Sequence, residues 1–252
     1  MQDQLEKLKQ TWQTLGRDDP LWAIASLDSK RGGKWDVQEF FAVGDRAVDR
    51  FHASLKRETG APDQFQHVLD FGCGVGRLSQ AWAKRAKAVT GVDISRPMVE
   101  RGNALLEHLP QLRLQLNEAS DLACFQSNTF DLVFSHACLQ HMPWSLAVGY
   151  IREFARVCAP GGIVMFSLPT RVLGTTWPRM VRKKIIDALP LGLGATYRRW
   201  RHGSAAVFDM HYTPAQTVET TMTTAGLKMI CREPDQSAGE NAEGFLYIAS
   251  KL

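Results

Sequence analysis

Asp70, Gly72, Gly74 and Gly76, at strict alternation in "HVLDFGCGVGRLS" (residues 67–79), are the first residues of this sequence whose types and spacing could do chemistry. A glycine-rich turn between a strand and a helix lets a ligand approach the backbone where a Cβ would clash, and glycine tolerates positive φ. The pattern differs from the GxGxxG dinucleotide fingerprint, and a carboxylate ahead of the glycines would repel a pyrophosphate. That acid suits a ligand with an ammonium group instead. Further on, "AVTGVDIS" brings Asp93 to the end of a second apolar run. A carboxylate there either accepts hydrogen bonds from ribose hydroxyls or caps the following helix. The two acids together point to a nucleoside that carries a cationic amino-acid moiety. Beyond a third run, "FDLVFS", stand His136 and His141. An imidazole near neutrality can take a proton from a hydroxyl, which contributes typically ~10²- to 10⁴-fold to a rate; the alternative is that these rings only shape the loop.

The runs "HVLDF", "AVTGVDI", "LRLQL", "FDLVFS" and "GIVMFSL" read as strands, alternating with helical patterns over 76–87, 96–109 and 145–158. Alternation of this kind predicts βαβ units and a buried parallel sheet. Two later runs, "GLKMICRE" and "GFLYIASKL", separated by the polar "PDQSAGENAE", predict an antiparallel pair at the sheet edge. The expected fold is therefore α/β, a Rossmann-like seven-stranded and mostly parallel sheet with helices on both faces. Punctuation at "ETGAPDQ" divides an N-terminal helical segment, residues 1–60, from a main domain, residues 61–252, and the sheet does not require the insertion at 170–215.

"VLDFGCGVGRLS", "VTGVDISRPMVE", "NEASDLACFQSNTFDLVFSHACLQHM" and "EFARVCAPGGIVMFSL" resemble, in order and spacing, the successive motifs of class I S-adenosylmethionine-dependent methyltransferases of small-molecule type. The resemblance covers residues 64–168 and implies methyl transfer from S-adenosylmethionine, leaving S-adenosylhomocysteine, with no metal. It implies that Asp70 and the backbone around Gly72 and Gly74 hold the methionine portion, with Cys73 and Ser135 as further cofactor-binding candidates. Asp93 would bind the ribose, Ile94 and Met98 would lie against the adenine, and Glu118-Ala119 replaces the family's frequent Asp-Ala beside the adenine amino group. The absence of an Asn/Asp-Pro-Pro-aromatic tetrapeptide after "FDLVFS" argues against nucleobase or glutamine amino groups as acceptors. A small-molecule oxygen acceptor is expected, with His136 or His141 as base; sulfur, nitrogen or a membrane-associated quinone or lipid acceptor are the alternatives. A cofactor-binding protein without turnover is the non-enzymatic one.

Trp22, Trp35, Phe40 and Phe41 in residues 20–44 form either a lid over the site or a stripe packed on the core. Within the insertion, Arg179, Arg182, Lys183, Lys184, Arg198, Arg199 and Arg201 are interleaved with Trp177, Tyr197 and Trp200. They read as a solvated helical cap or as a surface for an anionic or lipid-like acceptor or a membrane. His211 and Tyr212 follow, within reach of the acceptor; Trp22, Trp35, Phe41, His136, Trp177 and Tyr212 are the candidate acceptor contacts. A net charge of +4 on 252 residues is too mild for a dedicated nucleic-acid binder. The five cysteines form no CxxC pair, and no apolar run approaches the ~20 residues of a membrane span. Reduced thiols and a cytoplasmic location are expected, with the oligomeric state left open.

Overall fold

In the computed structural model of the chain, residues 2–173 and 209–252 are described. Trp177 and the basic residues from Arg179 to Arg201 lie outside the described residues. Three N-terminal helices come first: α1 (Gln2–Asp18), α2 (Pro20–Ile24) and α3 (Val37–Thr59). The sheet alternates with helices thereafter: β1 (Phe65–Phe71), α4 (Ser79–Trp82), β2 (Ala86–Asp93), α5 (Arg96–Leu105), β3 (Leu112–Leu116), β4 (Phe130–Ser135), α6 (Trp144–Val157) and β5 (Cys158–Val172). The chain closes with α7 (Ala215–Thr224), β6 (Leu227–Pro234) and β7 (Ala242–Lys251).

The seven strands run in the order β3-β2-β1-β4-β5-β7-β6. The first five are parallel, and β7 is antiparallel to both β5 and β6. After β3 the order reverses, so the tips of β1 and β4 flank the switch point, where open α/β sheets form their ligand crevice. Because β7 runs backwards, β6 points the same way as β4 and β5. The loop between β6 and β7 therefore emerges at the same edge as the glycine loop.

Both faces of the sheet are covered. Phe71, Phe154, Phe166 and Tyr247 belong to one core, with Leu146, Tyr150 and Ile151 of α6. Phe65, Trp82, Phe134 and Ile248 belong to the other, with Val48, Phe51 and Leu55 of α3 at helical spacing. α3 starts at Asp36, whose carboxylate accepts the Glu39 N–H at 2.8 Å. The sequence pattern over 76–87 predicts a helix, but only Ser79–Trp82 is α-helical. Gly76, at φ +82°, belongs to the turn before it, and Arg85 N–H reaches back only to Trp82 C=O at 2.8 Å, which tightens the end before β2 begins.

The N-terminal segment docks on the edge that carries the glycine loop. Gly16 of α1 lets that helix approach α5 so closely that a Cβ there would lie 2.6 Å from Ser95 Oγ, and Ser95 Oγ donates to Trp12 C=O at 2.9 Å. Leu15, Leu21, Trp22, Trp35, Phe40, Val75 and Met98 form one buried cluster that joins α1, α2, α3 and the loop. No helix of the described residues is long and apolar enough to cross a membrane.

Candidate functional site

β1 is parallel to both β2 and β4, so its last residues are buried and Asp70 is 2% exposed. Asp70 accepts a hydrogen bond from Ser79 Oγ at 2.6 Å. Burial pushes its carboxyl up to about 6, opposed by that hydroxyl and by the charge of Arg77. The chain then turns through Gly72 and Gly74, at φ +77° and +57°. A Cβ on Gly72 would fall 2.2 Å from Cys138 Sγ, and one on Gly74 would fall 2.5 Å from Ile24 Cδ1. These glycines admit close approach by the chain itself as well as left-handed backbone.

Asp93 ends β2 and ties the first loop to the second. Its Oδ2 accepts the Gly74 N–H at 2.8 Å and its Oδ1 the Ser95 N–H at 2.8 Å. Each oxygen keeps a second lone pair for a hydroxyl donor. Burial raises its carboxyl, and these backbone donors pull it back.

A cavity of about 630 Å³ opens at the switch point. Asp70, Gly72, Cys73, Gly74, Asp93, Ile94, Met98, His136, His141 and Trp35 of the sequence candidates line it. Other candidates stand elsewhere. Ser135 is buried behind the lining and donates to Phe71 C=O at 3.0 Å. Glu118 pairs with Lys9 Nζ of α1 at 3.1 Å, and Ala119 offers its carbonyl to the Tyr150 hydroxyl at 2.6 Å; the residue there that reaches the cavity is Asn117. Trp22 is buried, donating from its indole N–H to Leu27 C=O at 3.0 Å, with the Arg31 guanidinium 4.1 Å from its ring. Phe41 packs edge-on against Phe40 at 5.5 Å. Neither Trp22 nor Phe41 is among the lining residues. His211 borders a smaller recess of about 240 Å³ with Lys7, Thr11 and Asp209, and Tyr212 is 38% exposed.

The two histidines after β4 are in different states. His141 Nδ1 donates to Asp209 C=O at 2.9 Å, so its Nε2 is the acceptor for the Gln140 amide at 3.3 Å. Burial first of all lowers His141 to about 4, leaving it neutral and a weak base. The bond to His141 directs the Gln140 amide nitrogen inward, and Gln140 Oε1 is buried without a partner. His136 places Nε2 3.1 Å from Asp235 Oδ1, while its Nδ1 is buried and unpartnered. Arg77, beside Gly76 in the glycine loop, also lines the cavity with a buried, unpartnered Nε. Asp235, Gln140, Arg77, Asn117 and Trp12 are site residues that sequence reasoning missed. Arg77 alone had a signal, standing inside the glycine motif.

Among the described residues no three His, Cys, Asp or Glu side chains gather as a metal ion requires. Leu8, Trp12, Ile24, Leu27, Met142 and Met210 give the lining its apolar part, and Ser26, Tyr150, Gln236 and Ser237 add polar side chains to it. A volume within the roughly 300–1,000 Å³ of small-molecule sites, two carboxylates and unpaired polar atoms together suit a polar nucleoside and an apolar second ligand.

Residues 68–162 match the family model described as a methyltransferase domain. A ubiquinone biosynthesis O-methyltransferase of Xanthomonas campestris pv. campestris is 36% identical over 105 residues, 41% of this chain and 43% of that protein. The match thus spans less than half the length of that relative. Magnesium protoporphyrin IX methyltransferase from Synechocystis PCC 6803, solved with bound SAH, superposes with a TM-score of 0.61 at 21% identity, covering 98% of this chain and 99% of its own. The cyclase SpnF superposes with a TM-score of 0.62 at 18% identity, covering 96% of each chain. At these identities the two structures share the fold alone.

Proposed function

We propose that this chain, whose residues 68–162 match a methyltransferase domain, is a class I S-adenosylmethionine-dependent methyltransferase that methylates an oxygen of a small acceptor with an apolar body. The observation that carries this is a single lining in which Asp70, Asp93 and the glycine loop share a cavity with His136, a residue whose Nδ1 has no hydrogen-bond partner. When bound, S-adenosylmethionine would supply an electrophilic methyl group to the acceptor oxygen and would leave as S-adenosylhomocysteine.

Asp70 answers an ammonium group, since a cation beside it offsets the burial that pushes its carboxyl up to about 6. The free lone pairs of Asp93 accept ribose hydroxyls, and Ile94 and Met98 supply apolar walls. His136 takes the acceptor proton. His141, lowered to about 4, instead orients Gln140. Trp35 and α2 exclude water from the reacting atoms. Residues 1–60 act as a cover on the domain formed by 61–252.

The test is methyl transfer from isotopically labelled S-adenosylmethionine to a panel of phenols, catechols, thiols and amines. Oxygen acceptors are expected to turn over, and His136→Ala to lower kcat by ~10²-fold or more with S-adenosylhomocysteine affinity unchanged. Cofactor binding without turnover of any acceptor supports a non-enzymatic role instead, and tight binding of NADH in its place overturns the assignment. The apolar lining, with Leu27 54% exposed, also favours a membrane-associated quinone-type acceptor. Co-sedimentation with liposomes separates that second reading from a freely soluble acceptor.

A further inference from the structure

We infer that Asp235, on the loop between β6 and β7, is the positioning residue that makes His136 a general base; this rests on the methyl-transfer reading above. A carboxylate can only accept, so the 3.1 Å contact between His136 Nε2 and Asp235 Oδ1 places the proton of the neutral ring on Nε2. Nδ1 is then a bare lone pair. It is buried and unpartnered, on a residue that lines the cavity.

The ring cannot easily turn away. Phe51 of α3 lies against it at 4.8 Å between centroids, and Phe134 of β4 lies parallel at 6.4 Å and 14°. The carboxylate is equally held. Asp235 Oδ2 accepts the Ser237 N–H at 3.2 Å and the Ser237 hydroxyl, while Asp235 N–H donates to Gly244 C=O at 2.9 Å. Burial pushes the Asp235 carboxyl up, but the hydrogen bond and charge of His136, with Ser237, outweigh it and hold the group below its usual range. The carboxylate is thus ionised at neutral pH. The side chains of His136 and Asp235 are 14% and 13% exposed, so charge on one is felt strongly by the other.

The proton balance follows. As the acceptor oxygen bonds to the methyl carbon, its proton passes to Nδ1 while the O–H electron pair stays on oxygen. The imidazolium so formed faces Asp235, and the proton later leaves to water. Among the described residues, Asp70, Asp93 and Arg77 are the other charged side chains on the lining; α3 meets the ring through Phe51, an uncharged side. An ordinary staple between loop and sheet would need the same 3.1 Å contact, but it would not need the other ring nitrogen of a cavity-lining residue left buried without a partner.

The test uses the full chain labelled with ¹⁵N-histidine, with and without S-adenosylhomocysteine. Long-range ¹H–¹⁵N correlations, assigned by their loss in His136→Gln, are expected to show a neutral ring protonated at Nε2. Asp235→Asn can offer an N–H to Nε2 and so is expected to shift the ring toward the other tautomer. In that variant kcat is expected to fall by ~10²-fold or more, with KM and S-adenosylhomocysteine affinity within about threefold of wild type. Asp235→Glu is expected to recover part of the rate. A wild-type ring protonated at Nδ1, or a folded Asp235→Asn with unchanged tautomer and rate, overturns the proposal. The tautomer measurement needs no acceptor, so it decides the hydrogen-bond assignment even if every acceptor proves inert, an outcome that counts against oxygen methylation instead.

Discussion

Asp70 ties cofactor binding to pH. Its folded carboxyl, pushed up to about 6, lies above the unfolded value of ~3.9. It therefore contributes stability that is full below the unfolded value and lost as pH rises through about 6. Binding of an ammonium group reverses the preference and requires the ionised form. S-adenosylhomocysteine is thus expected to bind about tenfold more weakly at pH 5 than at pH 7 by that linkage, and Asp70→Asn should flatten the dependence; calorimetry across this range checks both. At Gly72 the constraint is steric and conformational at once. Gly72→Ala puts a Cβ 2.2 Å from Cys138 Sγ on a backbone at φ +77°. A loss of about 2–4 kcal/mol is expected from strain plus overpacking, read by urea denaturation. Cys138→Gly in the same chain should recover the clash but not the strain.

Between α2 and α3, Asp19 holds a loop together from one carboxylate. Its Oδ2 accepts the N–H groups of Gly32 at 2.7 Å and Gly33 at 3.1 Å, and its Oδ1 accepts that of Trp22 at 3.4 Å, at the start of α2. The indole N–H of Trp35, donating to Ala25 C=O at 3.0 Å, closes the loop from its other end. Asp19→Ala is expected to cost about 1–2 kcal/mol locally. Faster amide exchange at Gly32 and Gly33, by about tenfold or more, should report it with little change in the global unfolding midpoint. Because Ala23, Ile24 and Trp35 line the cavity, S-adenosylhomocysteine should also dissociate faster. An unchanged exchange rate would detach this loop from the site.

At the scale of the molecule, the glycine loop, the second strand and the N-terminal helices line one cavity, so binding of the proposed ligand there should stabilise all of them. S-adenosylhomocysteine at one hundred times its Kd is expected to add about 2.7 kcal/mol, or roughly 5–10 °C in Tm for a chain of this size. Asp93→Ala should lose most of that shift at the same concentration, since both the ribose contact and the tie to Gly74 go with it. Calorimetric melting of both proteins checks this. A full shift in the variant removes Asp93 from the site.

The strands in chain order, and the glycine loop and second-strand acid that line the cavity, were legible because they are local. Period, glycine spacing and an acid at a strand tip are written within a dozen residues, and Asp70, Gly74 and Asp93 all line the cavity. The short α4 was not, since its limits follow from turn geometry on either side. Which histidine faces an unsatisfied site was illegible for a different reason. His136 and His141 are five positions apart in the same segment after β4, and tertiary neighbours tell them apart. Asp209 and Gln140 occupy one ring, whereas Asp235, far along the chain, meets the other and leaves Nδ1 bare. That meeting depends on β7 running antiparallel between β5 and β6, which returns the β6–β7 loop to the edge where β4 ends. Spacing along the sequence determines what a loop can hold; the order of strands decides which side chains from distant loops stand opposite it.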